Sequence, residues 1–209
     1  MNKINYGRML DETIAVLEKS GERPSLLLHA CCAPCSSHTL TVLEKFFDIT
    51  LYFFNPNIAP EEEYDFRCSE LKRLVREMNL NIRIIEEKYD PAPFYALSKG
   101  LEKLPERGER CQKCISYRLE AAGAKAYELG CDYFTTTLTI SPHKDCGYIN
   151  NRGGEIAAEM CGVSYLFSDF KKHDGYKHSI ELSRQYSLYR QNYCGCIYSK
   201  INRQEAENG

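Results

Sequence analysis

The chain has 209 residues, of which 43% are hydrophobic and 27% are charged, and its formal net charge is −2. That length suits one well-buried domain, and the near-neutral charge excludes an overall positive field that would attract nucleic acid or an anionic membrane. No apolar run approaches the roughly 20 residues of a membrane span, and the N-terminus has no signal-peptide core, so we expect a cytoplasmic protein without a membrane partner.

Short apolar runs alternate with amphipathic segments along the chain. Helices are predicted at 8–19, through 39–47, at 60–78, shortly after 89, and at 114–129, 149–160 and 179–190. Strands are predicted at 25–30, 49–54, 82–85, 133–138 and 163–167. Because strands that alternate with helices pair in parallel, the sequence predicts an α/β protein with a doubly wound, mostly parallel sheet. We expect one domain over 1–209, with an insertion at about 86–120 that places two short helices between strands.

Cysteine is unusually frequent, with 11 residues. The odd number and the absence of an export signal argue against a disulfide framework and favour metal ligands or redox catalysts. Seven of the cysteines fall into three tight groups: Cys31, Cys32 and Cys35; Cys111 and Cys114; Cys194 and Cys196. The other four stand alone and are expected to be small buried hydrophobic side chains: Cys68, Cys131, Cys146 and Cys161.

The first group follows an apolar strand and precedes a helix that Pro34 helps to begin. In an open α/β sheet, ligands bind at the carboxyl end of such a strand. Neighbouring side chains on an extended backbone point to opposite faces, so Cys31 and Cys32 could serve two adjacent metals or form a vicinal disulfide. Cys35 lies one helical turn further and can face the same site.

The other two groups are also spaced for metal binding. Cys111 and Cys114 can reach one metal from a turn and the first helical residue, although a thioredoxin-type dithiol is the alternative. Gly195 lets Cys194 and Cys196 face one side. Seven thiolates exceed the four that one zinc ion or one iron–sulfur cluster needs, which favours a cluster together with a second metal or a redox dithiol.

Two further segments carry polar groups that can bind a ligand. Thr136, Ser141 and Lys144 follow a Thr-rich strand and could hold phosphate or ribose, although an ordinary strand and Ser-Pro turn would look the same. Basic and aromatic residues alternate at 171–177 and 184–190, which suits an RNA surface. By itself, that alternation is better explained by an ordinary solvated helix face.

Several motifs occur together in an informative order. They are His29-Ala-Cys-Cys-Ala-Pro-Cys35, Asn55-Pro-Asn57, Arg110-Cys-x-x-Cys114, Thr135-Thr-Thr-Leu138, Ser141-Pro142, Asp169-Phe-Lys-Lys172 and Tyr189-Arg-Gln-x-Tyr-Cys-Gly-Cys196. Together they resemble the epoxyqueuosine reductase QueH family over about residues 24–200. The resemblance implies a HUP-like α/β fold and removal of the epoxide oxygen from epoxyqueuosine in tRNA, with two electrons and two protons, to leave an alkene and water.

The resemblance also implies a [4Fe-4S] cluster beside a second, mononuclear iron, and tRNA substrates with GUN anticodons. The seven grouped cysteines are then the expected ligands, although the family admits Asp at the position of Cys35. The hypothesis is that the cluster passes on electrons from a donor such as ferredoxin or flavodoxin, while the second iron acts as a Lewis acid on the epoxide oxygen. Asp145, Tyr193 or His143 is the expected proton donor.

Two other functions are compatible with parts of the sequence. An ATP-dependent tRNA-thiolating enzyme of a related fold would use a catalytic cysteine, but the Ser-Gly-Gly type of phosphate loop expected after the first strand is missing. A non-enzymatic zinc or iron–sulfur module would also use the cysteines. Polar residues at the strand ends argue against that module, because such ends usually frame a substrate pocket.

Overall fold

The structure, a computed structural model, describes residues 4–208. Its strands are β1 (Ser25–His29), β2 (Asp48–Phe53), β3 (Arg83–Glu86), β4 (Tyr133–Thr136) and β5 (Ser164–Tyr165). Its helices are α1 (Tyr6–Ser20), α2 (Ala33–Leu43), α3 (Glu61–Glu77), α4 (Ala92–Ser98), α5 (Glu109–Glu128), α6 (Cys146–Glu159), α7 (Gly175–Gln185) and α8 (Ile197–Asn208). Within this range, no helix combines the length and the hydrophobicity that crossing a bilayer requires.

The strands form one parallel sheet in the order β3-β2-β1-β4-β5. The chain winds from β1 outward to β3, then crosses back so that β4 pairs with the other edge of β1. Crossovers in opposite directions from β1 place helices on both faces of the sheet. The predicted HUP-like, doubly wound α/β fold is therefore confirmed.

Alternation along β1 supplies apolar side chains to both faces of the sheet. Leu26 and Leu28 are buried in the core on one face, together with residues of α1, α2 and α3. Leu27 is buried in the core on the other face, with residues of α5 and α6. A strand covered on both sides is expected to read as a continuous apolar run, which is how β1 was recognised.

The winding reverses between β1 and β4, and their carboxyl ends lie side by side, with His29 in register with Thr136. The buried His29 ring joins the two ends: its Nε2 donates to the Phe54 carbonyl oxygen at 3.1 Å, and its Nδ1 accepts from the Thr136 hydroxyl at 2.8 Å. Burial lowers the pKa of His29 to about 3, so this imidazole is neutral. Ligands of open α/β sheets bind at such a reversal point.

Several boundaries differ from the predicted ones near this edge. The predicted strand 133–138 ends at Thr136, because residues Thr137–Ile140 turn into a short 3₁₀ helix. Helix α6 begins earlier than the predicted 149, since the Asp145 side chain accepts a hydrogen bond from the Tyr148 N–H and caps the helix.

Helix α5 also begins earlier than predicted, at Glu109, so Cys111 and Cys114 both lie within its first turns. The predicted helix 179–190 is displaced and corresponds to α7 at 175–185, whereas α8 was not predicted. Between β3 and β4 the chain forms the short α4 and then α5, which at 20 residues is not a short helix. The single domain and its insertion at 86–120 remain predictions.

Candidate metal centre

A cavity of about 320 Å³ opens at the carboxyl ends of β1 and β4. Cys31, Cys32, Cys35 and Cys194 line it. A smaller recess is lined by Cys111, Cys114, Cys194 and Cys196, and the two spaces share Cys194, Arg118 and Lys144 as lining residues. The three cysteine groups of the sequence therefore converge on one place as two sets, a triad (Cys31, Cys32 and Cys35) and a quartet (Cys111, Cys114, Cys194 and Cys196).

The triad is formed by the turn from β1 into α2. The Cys31 N–H donates to the Thr137 hydroxyl at 3.2 Å, which ties this turn to the end of β4. The three Sγ atoms lie within 4.8 Å of one another, and those of Cys31 and Cys32 are 3.7 Å apart. One metal ion can therefore contact all three sulfurs, an arrangement that side-chain alternation on a straight strand would not allow.

The surroundings of the triad favour a thiolate at one position. Hydrogen bonds from Cys31 and Cys35 and the positive charge of Arg67 hold the pKa of Cys32 well below its usual range, against the effect of burial. The hydrogen bonds that Cys35 shares with Cys31 and Cys32 raise its own pKa, as does burial. The triad thus holds one negative charge readily, and a bound cation would be needed to stabilise more.

One half of the quartet lies on α5. Cys111 and Cys114 are three residues apart, so they share a face of this helix, and Arg118 continues that face one turn later. Cys114 is half-buried, and burial raises its pKa.

The other half is the Cys194-Gly195-Cys196 turn, in which the two Sγ atoms are 3.5 Å apart. The Gly195 carbonyl accepts a hydrogen bond from the Ala59 N–H at 3.0 Å, which docks the turn on the loop after β2. Gly195 has a φ of 108°, and a Cβ there would meet Arg67 at 2.9 Å and Ile58 at 3.0 Å. Only glycine combines this conformation with this close approach.

The first turn of α8 supports the same pair of thiols. The Ser199 N–H donates to the Cys196 Sγ at 3.4 Å, and the Ser199 hydroxyl accepts from the Cys194 N–H at 3.3 Å. The hydrogen bond that Cys194 shares with Cys196, together with the charge of Lys144, holds the pKa of Cys194 well below its usual range, although burial acts in the opposite direction. That hydrogen bond and burial raise the pKa of Cys196.

Two cationic side chains lie between the triad and the quartet. Arg118 is only 3% exposed; it donates to the Asn55 side-chain oxygen, and Asn55 in turn donates to the Ala30 carbonyl at 3.0 Å. Among the described residues, Nε of Arg118 has no hydrogen-bond partner. Burial lowers the pKa of Lys144, but the charges of Cys194 and the α5 cysteines raise it overall. These cations offset the negative charge that thiolates or a thiolate-bound metal would bring.

The donor set fits a metal or an iron–sulfur cluster. All eleven cysteines are free, so the described sulfurs are not committed to disulfides. Thiolate-rich sites select iron–sulfur clusters and zinc. Of the four separate cysteines, Cys68 and Cys131 are buried as predicted and Cys146 is half-buried, whereas the prediction for Cys161 is wrong, because that side chain is exposed.

The residues predicted to bind phosphate or ribose lie in different surroundings. Ser141 and Lys144 line the cavity. Thr136 is fully buried, its hydroxyl is engaged with His29 and the Leu138 N–H, and it is not a lining residue. The position of Thr136 therefore gives no support to a ligand contact and explains it as a link between β1 and β4.

The three predicted proton donors are also placed differently. Tyr193 lines the cavity, with the Arg67 guanidinium 5.2 Å from its ring centre. His143 lines both the cavity and a second small recess, which is distinct from the one that the quartet lines. Asp145 lines only that recess, and its carboxylate caps α6. Tyr193 and His143 can therefore reach a molecule in the main cavity.

Sequence reasoning missed other residues that line the cavity, among them Arg67, Glu106, Arg118 and Gln191. The spacing of Cys111, Cys114 and Arg118 was a usable signal, because all three fall on one helix face. Asn55 and Asn57 were noticed only as part of a motif. In the structure Asn55 accepts a hydrogen bond from Arg118, and Asn57 lines the smaller recess that the quartet lines. Glu106 lies in a charged connector and gave no signal.

Comparison with solved structures supports the fold. The U34-tRNA thiolase NcsA from Methanococcus maripaludis, determined with its [4Fe-4S] cluster, superposes with a TM-score of 0.53 over 97% of this chain and 73% of that chain, at 11% sequence identity. A likeness at this identity concerns the fold alone.

Comparison with known sequences gives the family. The family model described as epoxyqueuosine reductase QueH matches residues 26–202. Proteins named epoxyqueuosine reductase QueH are 45% identical in Streptococcus pyogenes serotype M1, over 94% of this chain and 78% of the relative, and 42% identical in Staphylococcus epidermidis, over 96% and 87%. The one from Thermotoga maritima is 36% identical, over 87% and 93%. With most of its length matched and its cysteine groups gathered around one cavity, this chain belongs to the epoxyqueuosine reductase QueH family.

Proposed function

We propose that this protein reduces epoxyqueuosine in tRNA to queuosine. The epoxide accepts two electrons and two protons, both of its carbon–oxygen bonds break, and an alkene and water remain. The observation that carries the proposal is the convergence of seven free thiols, in two sets, on a cavity and the smaller recess that shares Cys194 with it, in a member of the QueH family.

We assign the two thiol sets to different metals. The quartet supplies the four thiolates that a [4Fe-4S] cluster needs, and the triad supplies three sulfurs for a mononuclear iron and leaves room for a further ligand. The triad faces the larger cavity, so the iron held there would meet the substrate. Cys194 lines both spaces, which supports electron transfer between the groups that the two sets would hold.

When bound, the cluster would supply electrons singly and the mononuclear iron would supply a Lewis acid for the epoxide oxygen. The side chains have separate tasks. Arg118 and Lys144 balance the thiolate charge, and Tyr193, which lines the cavity, is the first candidate to donate a proton to the departing oxygen. His143 is the second candidate for that proton, and Asp145 ranks behind both because its carboxylate caps α6.

The substrate base must leave the anticodon loop to enter the cavity, as in other enzymes that act on a nucleobase. The cavity volume of about 320 Å³ lies in the range of small-molecule sites. Tyr176, Arg190 and Arg203 line it, and the Arg190 guanidinium lies 6.0 Å from the Tyr176 ring centre. Aromatic and cationic side chains together suit the stacked bases and phosphates of single-stranded RNA.

Ser141 and Lys144 are placed to contact the ribose or a phosphate of the same nucleotide. tRNAs with GUN anticodons remain the expected substrates, ferredoxin or flavodoxin the expected class of electron donor, and the cytoplasm the expected location. The thiolating alternative is not favoured, because the sequence relatives carry the reductase name and the similarity to a thiolase extends only to the fold.

Purification without oxygen, followed by assays of iron, acid-labile sulfide and zinc, tests the metal content. We expect about five irons and four sulfides per chain with broad visible absorbance. Incubation with a reductant and epoxyqueuosine-containing tRNA should then produce queuosine, measured by mass spectrometry of the digested nucleosides. One zinc without sulfide, or unchanged epoxyqueuosine with a fully loaded protein, would contradict the proposal.

A further inference from the structure

Cationic side chains outnumber carboxylates in the lining of the main cavity. Five cationic side chains line it: Arg67, Arg118, Lys144, Arg190 and Arg203. Among the described residues of its lining, Glu106 alone carries a carboxylate. A single carboxylate in a lining that otherwise offers cations and thiols needs an explanation, because cations alone would serve an RNA backbone better.

Glu106 is held in place without being neutralised. It lies in the connector between α4 and α5, where its Oε1 accepts a hydrogen bond from the Ser199 hydroxyl. The Ser199 hydroxyl also accepts a hydrogen bond from the Cys194 N–H, so Ser199 alone links the carboxylate to the quartet. Glu106 takes part in none of the ion pairs that the described residues form, and its side chain is exposed, so the carboxylate remains accessible to a positive group of the substrate.

This inference rests on the proposed function, because it uses the chemistry of epoxyqueuosine. The base carries a secondary amine that joins the deazaguanine ring to the epoxide-bearing carbon ring. An alkylamine is protonated near neutral pH, so the substrate presents an ammonium group close to the reacting atoms. The Glu106 carboxylate would attract an ammonium group, whereas the cationic side chains of the lining would not.

We propose that Glu106 determines specificity by binding the secondary ammonium of the modified base. The contact distinguishes a queuosine-type base from guanine, which has no such amine. It also fixes the linker next to the epoxide ring, and so directs that ring towards the triad. Ser199 positions the carboxylate through its hydroxyl.

Binding of two tRNAs to the anaerobically purified holoenzyme tests this role. One tRNA carries queuosine, the stable product that keeps the amine, and the other is the same tRNA with unmodified guanosine. The wild-type protein should bind the queuosine tRNA more tightly, by about 10- to 100-fold, as expected for a hydrogen bond between charged groups. Glu106→Gln should abolish this preference while binding the guanosine tRNA as the wild type does.

A matched control comes from the same connector. The Glu102 carboxylate accepts the Gly100 N–H at 3.0 Å and is not a lining residue, so Glu102→Gln should retain the preference. Glu106→Asp keeps the charge on a shorter side chain and should retain part of it. Iron and sulfide contents should be the same in all these proteins.

Three results would overturn the inference. The first is a Glu106→Gln protein that keeps the preference, the second is one that loses affinity for both tRNAs equally, and the third is loss of iron in that variant, which would make Glu106 a metal ligand. Failure of the proposed function looks different, because the loaded wild-type protein would then leave epoxyqueuosine unreduced. An active wild-type enzyme with an unaffected variant would overturn only the role of Glu106.

Discussion

The triad and the quartet are brought to adjoining spaces in different ways. The triad comes from one turn, where Cys31, Cys32 and Cys35 follow β1 and the sheet places them at its reversal point. The quartet joins α5 to the Cys194-Gly195-Cys196 turn, which lies far along the chain and is held by the loop after β2 and by α8. A site within one turn depends on local geometry, whereas a site shared by distant segments depends on every contact that brings them together.

The largest effect is expected when one thiol of the quartet is removed. Cys111→Ala should eliminate the broad visible absorbance and the acid-labile sulfide and reduce turnover to below about 1% of the wild type, because a cubane cluster needs all four thiolates. Absorbance, sulfide and nucleoside analysis on one anaerobic preparation measure the effect. Cys161→Ala, at an exposed cysteine outside both sets, is the control and should change none of them. A fully loaded, active Cys111→Ala protein would contradict the assignment.

Removing a thiol of the triad should lower the iron content of the protein but not its sulfide content. Cys35→Ala should lower turnover by at least about 100-fold, since removing even a group that only orients a metal ligand costs 10- to 100-fold. Cys35→Asp should restore much of that loss, because a carboxylate can also bind iron. Equal activities of the Ala variant and the wild type would mean that Cys35 is not a ligand.

A smaller effect is expected from the turn that joins the quartet. Gly195→Ala forces a side chain into a positive φ and against Arg67 and Ile58, so the free energy of unfolding should fall by about 3 kcal/mol. Gly162 has a similar φ of 101° but open space around it, and Gly162→Ala should cost only about 1 kcal/mol. Urea unfolding under anaerobic conditions compares the two. Equal losses would show that the close approach at Gly195 does not matter.

The smallest effect is expected from the contact between α7 and α2, the helix that follows the turn of the triad. His38 of α2 packs against His178 of α7, with their Nδ1 atoms 2.9 Å apart, and burial, together with the charge of His178, lowers the pKa of His38 to about 4. Between pH 6.5 and 4 the unfolded chain binds a proton at this position that the folded chain does not, so the free energy of unfolding falls as the pH falls through this range.

From pH 7 to pH 5 this histidine should account for about 2 kcal/mol of lost stability. Urea unfolding of His38→Gln at both pH values should show a loss smaller by that amount than the loss of the wild type. His173→Gln, at an exposed histidine, provides the control. An unchanged pH dependence in His38→Gln would contradict the assignment.

The fold and the triad could be predicted because their signals are local. Apolar runs and helical periodicity identified all five strands, and one motif after β1 placed three thiols at a turn. Other features depend on contacts between distant residues, which leave no local pattern. Cys111 was placed in a turn before its helix, α8 was missed, and neither Arg118 nor Glu106 was identified as part of the site.

Thr136 also shows that contacts between distant residues cannot be predicted from a local pattern. Its hydroxyl was a candidate to hold phosphate or ribose, with an ordinary Thr-rich strand as the open alternative. In the structure that hydroxyl satisfies the buried His29, a partner that the alternation of the sequence could not reveal. Polar groups at a strand end can serve the fold as well as the ligand, and only their three-dimensional surroundings distinguish the two.

The most direct test of two metals at two thiol sets is a count of iron and acid-labile sulfide in a triple variant, Cys31→Ala, Cys32→Ala and Cys35→Ala, purified without oxygen beside the wild type. The account predicts that sulfide stays at about four per chain while iron falls by about one. A parallel loss of sulfide and iron would contradict it, because the triad would then be holding the cluster itself.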